Sequence, residues 1–399
     1  MPRGWTCPPN RRDDQLTPRA YPARVWTRPR TDGYHSVSLL APNHMLSSAA
    51  VTFLKRLLDS PGPSGFETIP AKAWRDEAGT FAEVSGDVLG NSFAVVNPTG
   101  APTILLAGHI DEIGVMVVHI DDDGFVSIAG IGGWDPQVLV AQRVRFLGRN
   151  GEVMGVVGKK PIHLIKVEDR DKGSKMTDLW VDIGAATRVE AEARLAVGDP
   201  GVLDHRTLDF PNDRIVSRSI DDRIGAFVVL EAARRYAARP GTAKVVAVAT
   251  VQEEIGYAGG GARVAADRIN PQMAIVVDVT FATDHPSIEK KEHGDHKLGS
   301  GPVFARGSIF NPVALRLLTT AAADLQIPHT MSGAPRGSMT DADAIQVARS
   351  GVATALVSIP NRYMHSPNEM VSLVDLDRAA DVIAEVCRRV GAGTDFTNR

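Results

Sequence analysis

The segment Lys244-Val245-Val246-Ala247-Val248-Ala249 is apolar after its first residue and runs straight into Thr250-Val251-Gln252-Glu253-Glu254. A run apolar on both of its alternating faces predicts a strand buried on both sides, which is typical of a parallel sheet covered by helices. Two adjacent carboxylates at the end of such a strand are costly, because an ion removed from water without a partner costs several kcal/mol. Neighbouring strand residues point to opposite faces, so Glu253 and Glu254 are expected to do different jobs. One could hold a metal while the other moves protons.

Three further strands repeat the pattern. Thr103 to Ala107 leads to Gly108-His109-Ile110-Asp111-Glu112, Met273 to Val277 leads to Asp278, and Thr354 to Ile359 leads to Pro360 through Ser366 with His365. Open α/β sheets bind ligands beyond the carboxyl ends of their strands, so these residues are expected to converge. Asp221 and Asp222 add an acidic pair at a predicted helix start. A lone acid there can be a solvated loop residue or a helix cap, and His365 alone could be a satisfied core histidine. Two histidines and several acids on one sheet edge point instead to a metal site.

The flanking segments predict helices over Ser47–Leu58, Ala71–Ala82, Asp222–Ala238, Pro312–Leu325, Asp341–Ser350 and Asp375–Val390. Between residues 117 and 206 the alternation gives way to strand-like pieces. Asp121-Asp122-Asp123-Gly124 and Arg149-Asn150-Gly151 mark hairpin turns, and Thr187-Arg188-Val189-Glu190 opens a short helix. The expectation is an α/β domain over 46–116 and 207–399 interrupted by an all-β insertion over 117–206. Residues 1–45 are rich in Pro and Arg, contain no lysine and show little periodicity. They read as a disordered tail.

Composition narrows the chemistry. The chain has 399 residues, is 23% charged and carries a net charge of -3, which disfavours nucleic acid as a partner. No apolar stretch approaches the roughly 20 residues of a membrane span. Two cysteines, Cys7 and Cys387, make neither a disulfide framework nor a thiolate metal site, so a reducing cytoplasm is the default compartment. Ligands drawn from His, Asp and Glu suit Zn, Co or Mn. His109-x-Asp111 fits an imidazole ligand steadied through its other nitrogen. Five candidate ligands exceed the four of a tetrahedral zinc site and favour two ions.

The strings Pro61-Gly62-Pro63-Ser64-Gly65-Phe66-Glu67, Gly108-His109-Ile110-Asp111-Glu112-Ile113-Gly114, Gly132-Gly133-Trp134-Asp135-Pro136-Gln137, Asp221-Asp222-Arg223-Ile224-Gly225, Gln252-Glu253-Glu254-Ile255-Gly256 and Arg362-Tyr363-Met364-His365-Ser366-Pro367 occur in this order. In them the chain resembles the tetrahedral (TET-type) aminopeptidases, the di-metal family that includes glutamyl aminopeptidases and proteins labelled cellulase M. The resemblance runs from about Leu57 to Val390. It implies a mixed α/β sheet flanked by helices, of the zinc-peptidase and phosphorylase/hydrolase-like type, with an inserted β-barrel-like dimerisation domain.

The resemblance also implies roles. His109 and Asp278 would hold one divalent ion, Glu254 and His365 the other, and Asp221 would bridge them. Glu253 would be the general base and acid, and Asp111 would orient His109. The expected activity is hydrolysis of amino-terminal residues from short peptides, with dimers building a dodecamer. Arg336-Gly337-Ser338-Met339 and Arg306-Gly307-Ser308 depart from the family pattern, so the preferred side chain does not carry over. Two alternatives compete: a di-metal amidohydrolase acting on blocked peptides or small amides, and a non-catalytic scaffold. The filled ligand positions disfavour the scaffold.

Overall fold

The computed structural model describes residues 46–256 and 260–397; the tail expected over 1–45 lies outside them. A mixed eight-stranded sheet forms the centre. Its spatial order is Glu83–Gly86, Ser92–Val96, Lys244–Thr250, Thr103–His109, Met273–Phe281, Ala353–Asn361, Val303–Gly307 and Thr330–Ala334. The four central strands from Lys244–Thr250 to Ala353–Asn361 are mutually parallel, and Ser92–Val96 and Val303–Gly307 run antiparallel to them.

Each central strand divides its side chains between two cores. Ile104, Leu106, Val245, Ala247, Ile275 and Val277 face one layer with Trp74, Phe227, Leu318 and Ile383. Leu105, Ala107, Val246, Val248, Ala274 and Val276 face the other with Ala262, Ala266 and Ile345. That period-two division explains why these strands carry no polar face.

Helix Ile220–Ala238 packs against strands Thr103–His109 and Met273–Phe281. Two glycines permit the close approach: a Cβ on Gly108 would lie 2.4 Å from the carbonyl carbon of Gly225. The helix is buried over most of its length, so its hydrophobicity runs around the cylinder.

Most predicted elements form where expected, with shifted ends. The second helix spans Thr68–Ala78 rather than Ala71–Ala82. It stops at Gly79, and the following residues make the edge strand Glu83–Gly86. The helix expected over Asp341–Ser350 is only Asp341–Ile345. A turn at Gly351, where φ is +99°, brings the chain into the next strand, and glycine takes that conformation readily.

The strand ending at His109 leads into a closed six-stranded barrel. Its strands, in barrel order, are Gly114–Ile120, Val126–Ile131, Leu179–Asp182, Gly151–Lys159, Arg143–Gly148 and Pro200–Leu203. Val117, Val126, Val144, Phe146 and Val181 fill its interior. Closure removes the open sheet edges that strands of this length would otherwise expose. From the barrel the chain passes into the small sheet Leu208–Phe210, Arg214–Ser217 and Glu369–Ser372, and then to Asp221. Among the described residues no helix is long and apolar enough to cross a membrane.

Candidate metal centre

In the central sheet, strand Thr103–His109 lies between Lys244–Thr250 and Met273–Phe281. Thr250 is in register with His109, and Val276 with Ala107. Glu253, Glu254 and Asp278 therefore emerge beside His109 at one end of the sheet, where α/β proteins bind ligands. The start of helix Ile220–Ala238 brings Asp221 and Asp222, both in non-helical conformations. His365 follows strand Ala353–Asn361 with φ of +58°.

Asp221 stands between the two histidines. Its Oδ1 is 3.2 Å from His109 Nε2 and its Oδ2 is 3.4 Å from His365 Nε2. Glu254 Oε2 is also 3.4 Å from His365 Nε2, and Glu253 Oε2 is 3.8 Å from His109 Nε2. Ligand atoms of His109, Asp222 and Asp278 lie within 4.8 Å of one another, as do those of His109, Asp221 and Glu254. The structure thus brings together every residue expected at the centre and adds Asp222.

Behind these groups is a layer of buried acceptors. Asp111 Oδ1 lies 3.4 Å from His109 Nδ1, an ion-pair distance too long for a good hydrogen bond. The Asp111 carboxylate also accepts hydrogen bonds from the backbone N–H groups of Glu253 (3.2 Å) and Glu254 (3.1 Å). Asp222 accepts from the backbone N–H of His109 (3.2 Å) and, as a helix cap, from that of Gly225 (3.1 Å). Glu369 accepts from the backbone N–H of Asp221 (3.1 Å) and of His365 (2.9 Å). His365 Nδ1 lies 2.8 Å from the carbonyl of Gly133, which fixes Nε2 as the nitrogen facing Asp221.

Sequence reasoning missed Glu369 and the backbone role of Asp222. A Glu four residues after His365 is the only signal for Glu369, and nothing local distinguishes it. Asp222 reads in sequence as a cap, and it caps as well as holding His109.

The charge distribution follows from burial. Burial opposes ionisation of Asp221, but the flanking imidazoles of His109 and His365 outweigh it and hold the carboxyl at about 2. Burial pushes Glu253 up to about 8, with the charges of Asp341, Asp111 and Asp221 adding to the rise. Burial, then neighbouring carboxylates, raise Glu254 and Asp278 well above the ordinary carboxylate range. Buried acids that repel one another in this way are stabilised by a cation.

The residues fit divalent ions on direct observation. Among the described residues Glu254 Oε1 is buried without a hydrogen-bond partner, and two imidazoles with several carboxylates and no thiol suit Zn, Co or Mn. The centre opens into a cleft of about 970 Å³ whose walls include Phe281, Met339, Val347 and Met364.

The chain is similar to known proteins over most of its length. The M42 glutamyl aminopeptidase family profile matches residues 90–382. A lysyl aminopeptidase of Pyrococcus furiosus is 39% identical over 81% of this chain and 92% of its own length. The TET aminopeptidase of a marine sediment Thaumarchaeota archaeon superposes with a TM-score of 0.82 at 34% identity, over 86% of this chain and 97% of that one. The Pyrococcus horikoshii TET1 peptidase, which can assemble into a tetrahedron or a large octahedral shell, superposes with a TM-score of 0.75 at 29% identity, over 86% and 100% of the two chains. The chain belongs to the M42 glutamyl aminopeptidase family.

Proposed function

We propose that the protein is a metal-dependent aminopeptidase that removes amino-terminal residues from short peptides, with Glu253 as general base. The observation that carries this reading is the position of Asp221 between His109 and His365, with Glu253 beside the same imidazole. His109, Asp221, Glu254, Asp278 and His365 would hold two divalent ions, Zn or alternatively Co or Mn, with Asp221 shared. Such ions supply Lewis acidity, acidifying water and polarising the scissile carbonyl.

The chain's own groups do the rest. Glu253, beside the His109 imidazole, can accept a proton from water and deliver it to the departing amine. Asp111 orients the His109 imidazole and fixes the backbone of both glutamates. The cleft beside the centre gives room for a peptide end. Its apolar walls accommodate side chains. We further propose that the insertion over 117–206 is a dimerisation domain, that dimers build a larger homo-oligomer, and that the protein works in the cytoplasm.

Amino-acid p-nitroanilides test the activity. A chelator should abolish their hydrolysis, zinc or cobalt should restore it, and amino-terminally blocked peptides should resist cleavage. Hydrolysis untouched by exhaustive chelation would refute the metal-dependent reading.

A further inference from the structure

The segment Pro61–Glu67 has no part in the reaction described above, yet it is built around the two carboxylates that follow His109. Pro63 bridges to Glu112 in parallel register, and the backbone N–H of Ser64 donates to the Glu112 carbonyl at 3.2 Å. The backbone N–H of Gly62 donates to Glu112 Oε1 at 3.0 Å. The Ser64 hydroxyl donates to Asp111 Oδ2 at 2.6 Å. The segment closes on itself through the Gly65 N–H and Glu67 Oε1 at 2.6 Å.

Ser64 is 4% exposed and Asp111 is fully buried. A hydroxyl-to-carboxylate contact of this length belongs to the strong, charge-assisted class. Among the described residues, Asp111 otherwise receives only the two glutamate N–H groups and the distant His109 Nδ1. Without the hydroxyl, each oxygen keeps a single backbone donor, and the carboxylate is held less firmly against turning about its Cβ–Cγ bond. Turning moves the charge that faces His109 Nδ1 and with it the anchor for Glu253 and Glu254.

We propose that Ser64 is a positioning residue of the metal centre: its hydroxyl locks Asp111, and through Asp111 the His109 imidazole and the Glu253–Glu254 backbone, in the arrangement that takes up metal. The proposal rests on the metal-dependent reading above. Outer groups of this kind change metal affinity by roughly 10–100-fold when removed.

The test compares the full-length wild type with Ser64→Ala and Ser64→Thr. Zinc affinity is measured by competition with a chromogenic chelator, and the visible spectrum is recorded after cobalt loading. The expected result is zinc binding about 10–100-fold weaker in Ser64→Ala, with an altered cobalt spectrum, and recovery of both in Ser64→Thr, which keeps the hydroxyl. Asp111→Asn supplies a second variant with the carboxylate's shape, and should show a comparable loss. Zinc affinity in Ser64→Ala or Asp111→Asn equal to wild type, or equal losses in the Ala and Thr variants, overturns the proposal while leaving the metal-dependent reading intact. A wild type that binds none of zinc, cobalt and manganese overturns both.

Discussion

Replacing Arg223 with Met should destabilise the protein far more than any surface charge does. The guanidinium is fully buried. It donates to Glu112 Oε1 at 2.9 Å, to the carbonyl of Ile110 at 2.9 Å, to that of Leu57 at 3.1 Å and to that of Gly62 at 3.3 Å. A further bond reaches the carbonyl of Ser60. Methionine roughly keeps the volume and leaves these acceptors without their donor. Glu112 retains Arg218, so its charge is only partly stranded. Breaking a buried ion pair from one side costs about 3–5 kcal/mol.

With an unfolding entropy of roughly 2.1 cal/mol/K per residue, that cost lowers Tm by about 4–6 °C for a chain of this length. Lys72→Met is the control. The Lys72–Asp76 pair is exposed, and such pairs contribute about 0–1 kcal/mol. The assay is thermal unfolding of the chelated proteins at one concentration. The Arg223 pair joins the residue after Asp111 to the residue after Asp222, so zinc affinity should fall as well. A Tm for Arg223→Met within the range of Lys72→Met would refute the argument that this buried hub holds the two site-bearing segments.

Three other expectations follow from the geometry. Glu253→Gln should lower kcat by about 10²–10⁴-fold while retaining bound zinc, and assayed activity with bound zinc by elemental analysis decides it. Gly108→Ala should push helix Ile220–Ala238 away from strand Thr103–His109, because its Cβ would meet the Gly225 backbone at 2.4 Å. Weaker zinc binding and a lower Tm would show this, and unchanged values would contradict it. Asp375 accepts hydrogen bonds from the backbone of Gly299 and Gly301 at 2.7 Å each, yet burial raises it to about 7 from 3.8. The folded state then holds the proton more tightly than the unfolded one. Its contribution is full below about pH 4 and is lost as pH rises to about 7, by up to about 4 kcal/mol. Asp375→Asn should flatten this part of the stability–pH curve in urea titrations, and an unchanged slope between pH 4 and 7 would count against the assignment.

Much of this architecture is legible in local residue patterns. Runs such as Ile104-Leu105-Leu106-Ala107 and Val245-Val246-Ala247-Val248-Ala249 announce strands covered on both faces, because a strand with a wet face must alternate. Those strands also announce where chemistry collects, since the residues following them share one sheet edge. Ser47 and Thr187 mark helix starts by capping, with side chains that accept the expected backbone N–H groups. Elsewhere local patterns mislead: the amphipathic pattern expected to run to Ala82 ends at Gly79, and the chain pairs with strand Ser92–Val96 instead.

What the chain determined by itself was therefore the type of most central elements and the roster of metal-capable groups, because periodicity and capping act within a few residues. Tertiary structure decided how those groups meet. Asp221 sits between His109 and His365 because the barrel begins after one site strand and returns the chain to a helix packed on that same strand. Glu369 and Asp222 hold their neighbours through backbone N–H groups, contacts that carry no side-chain signature in sequence. Ser64 reaches Asp111 because Pro63 pairs with Glu112. The central glutamate pair shows the same dependence: its spacing is local, but the burial that raises Glu253 to about 8 comes from groups far away along the chain.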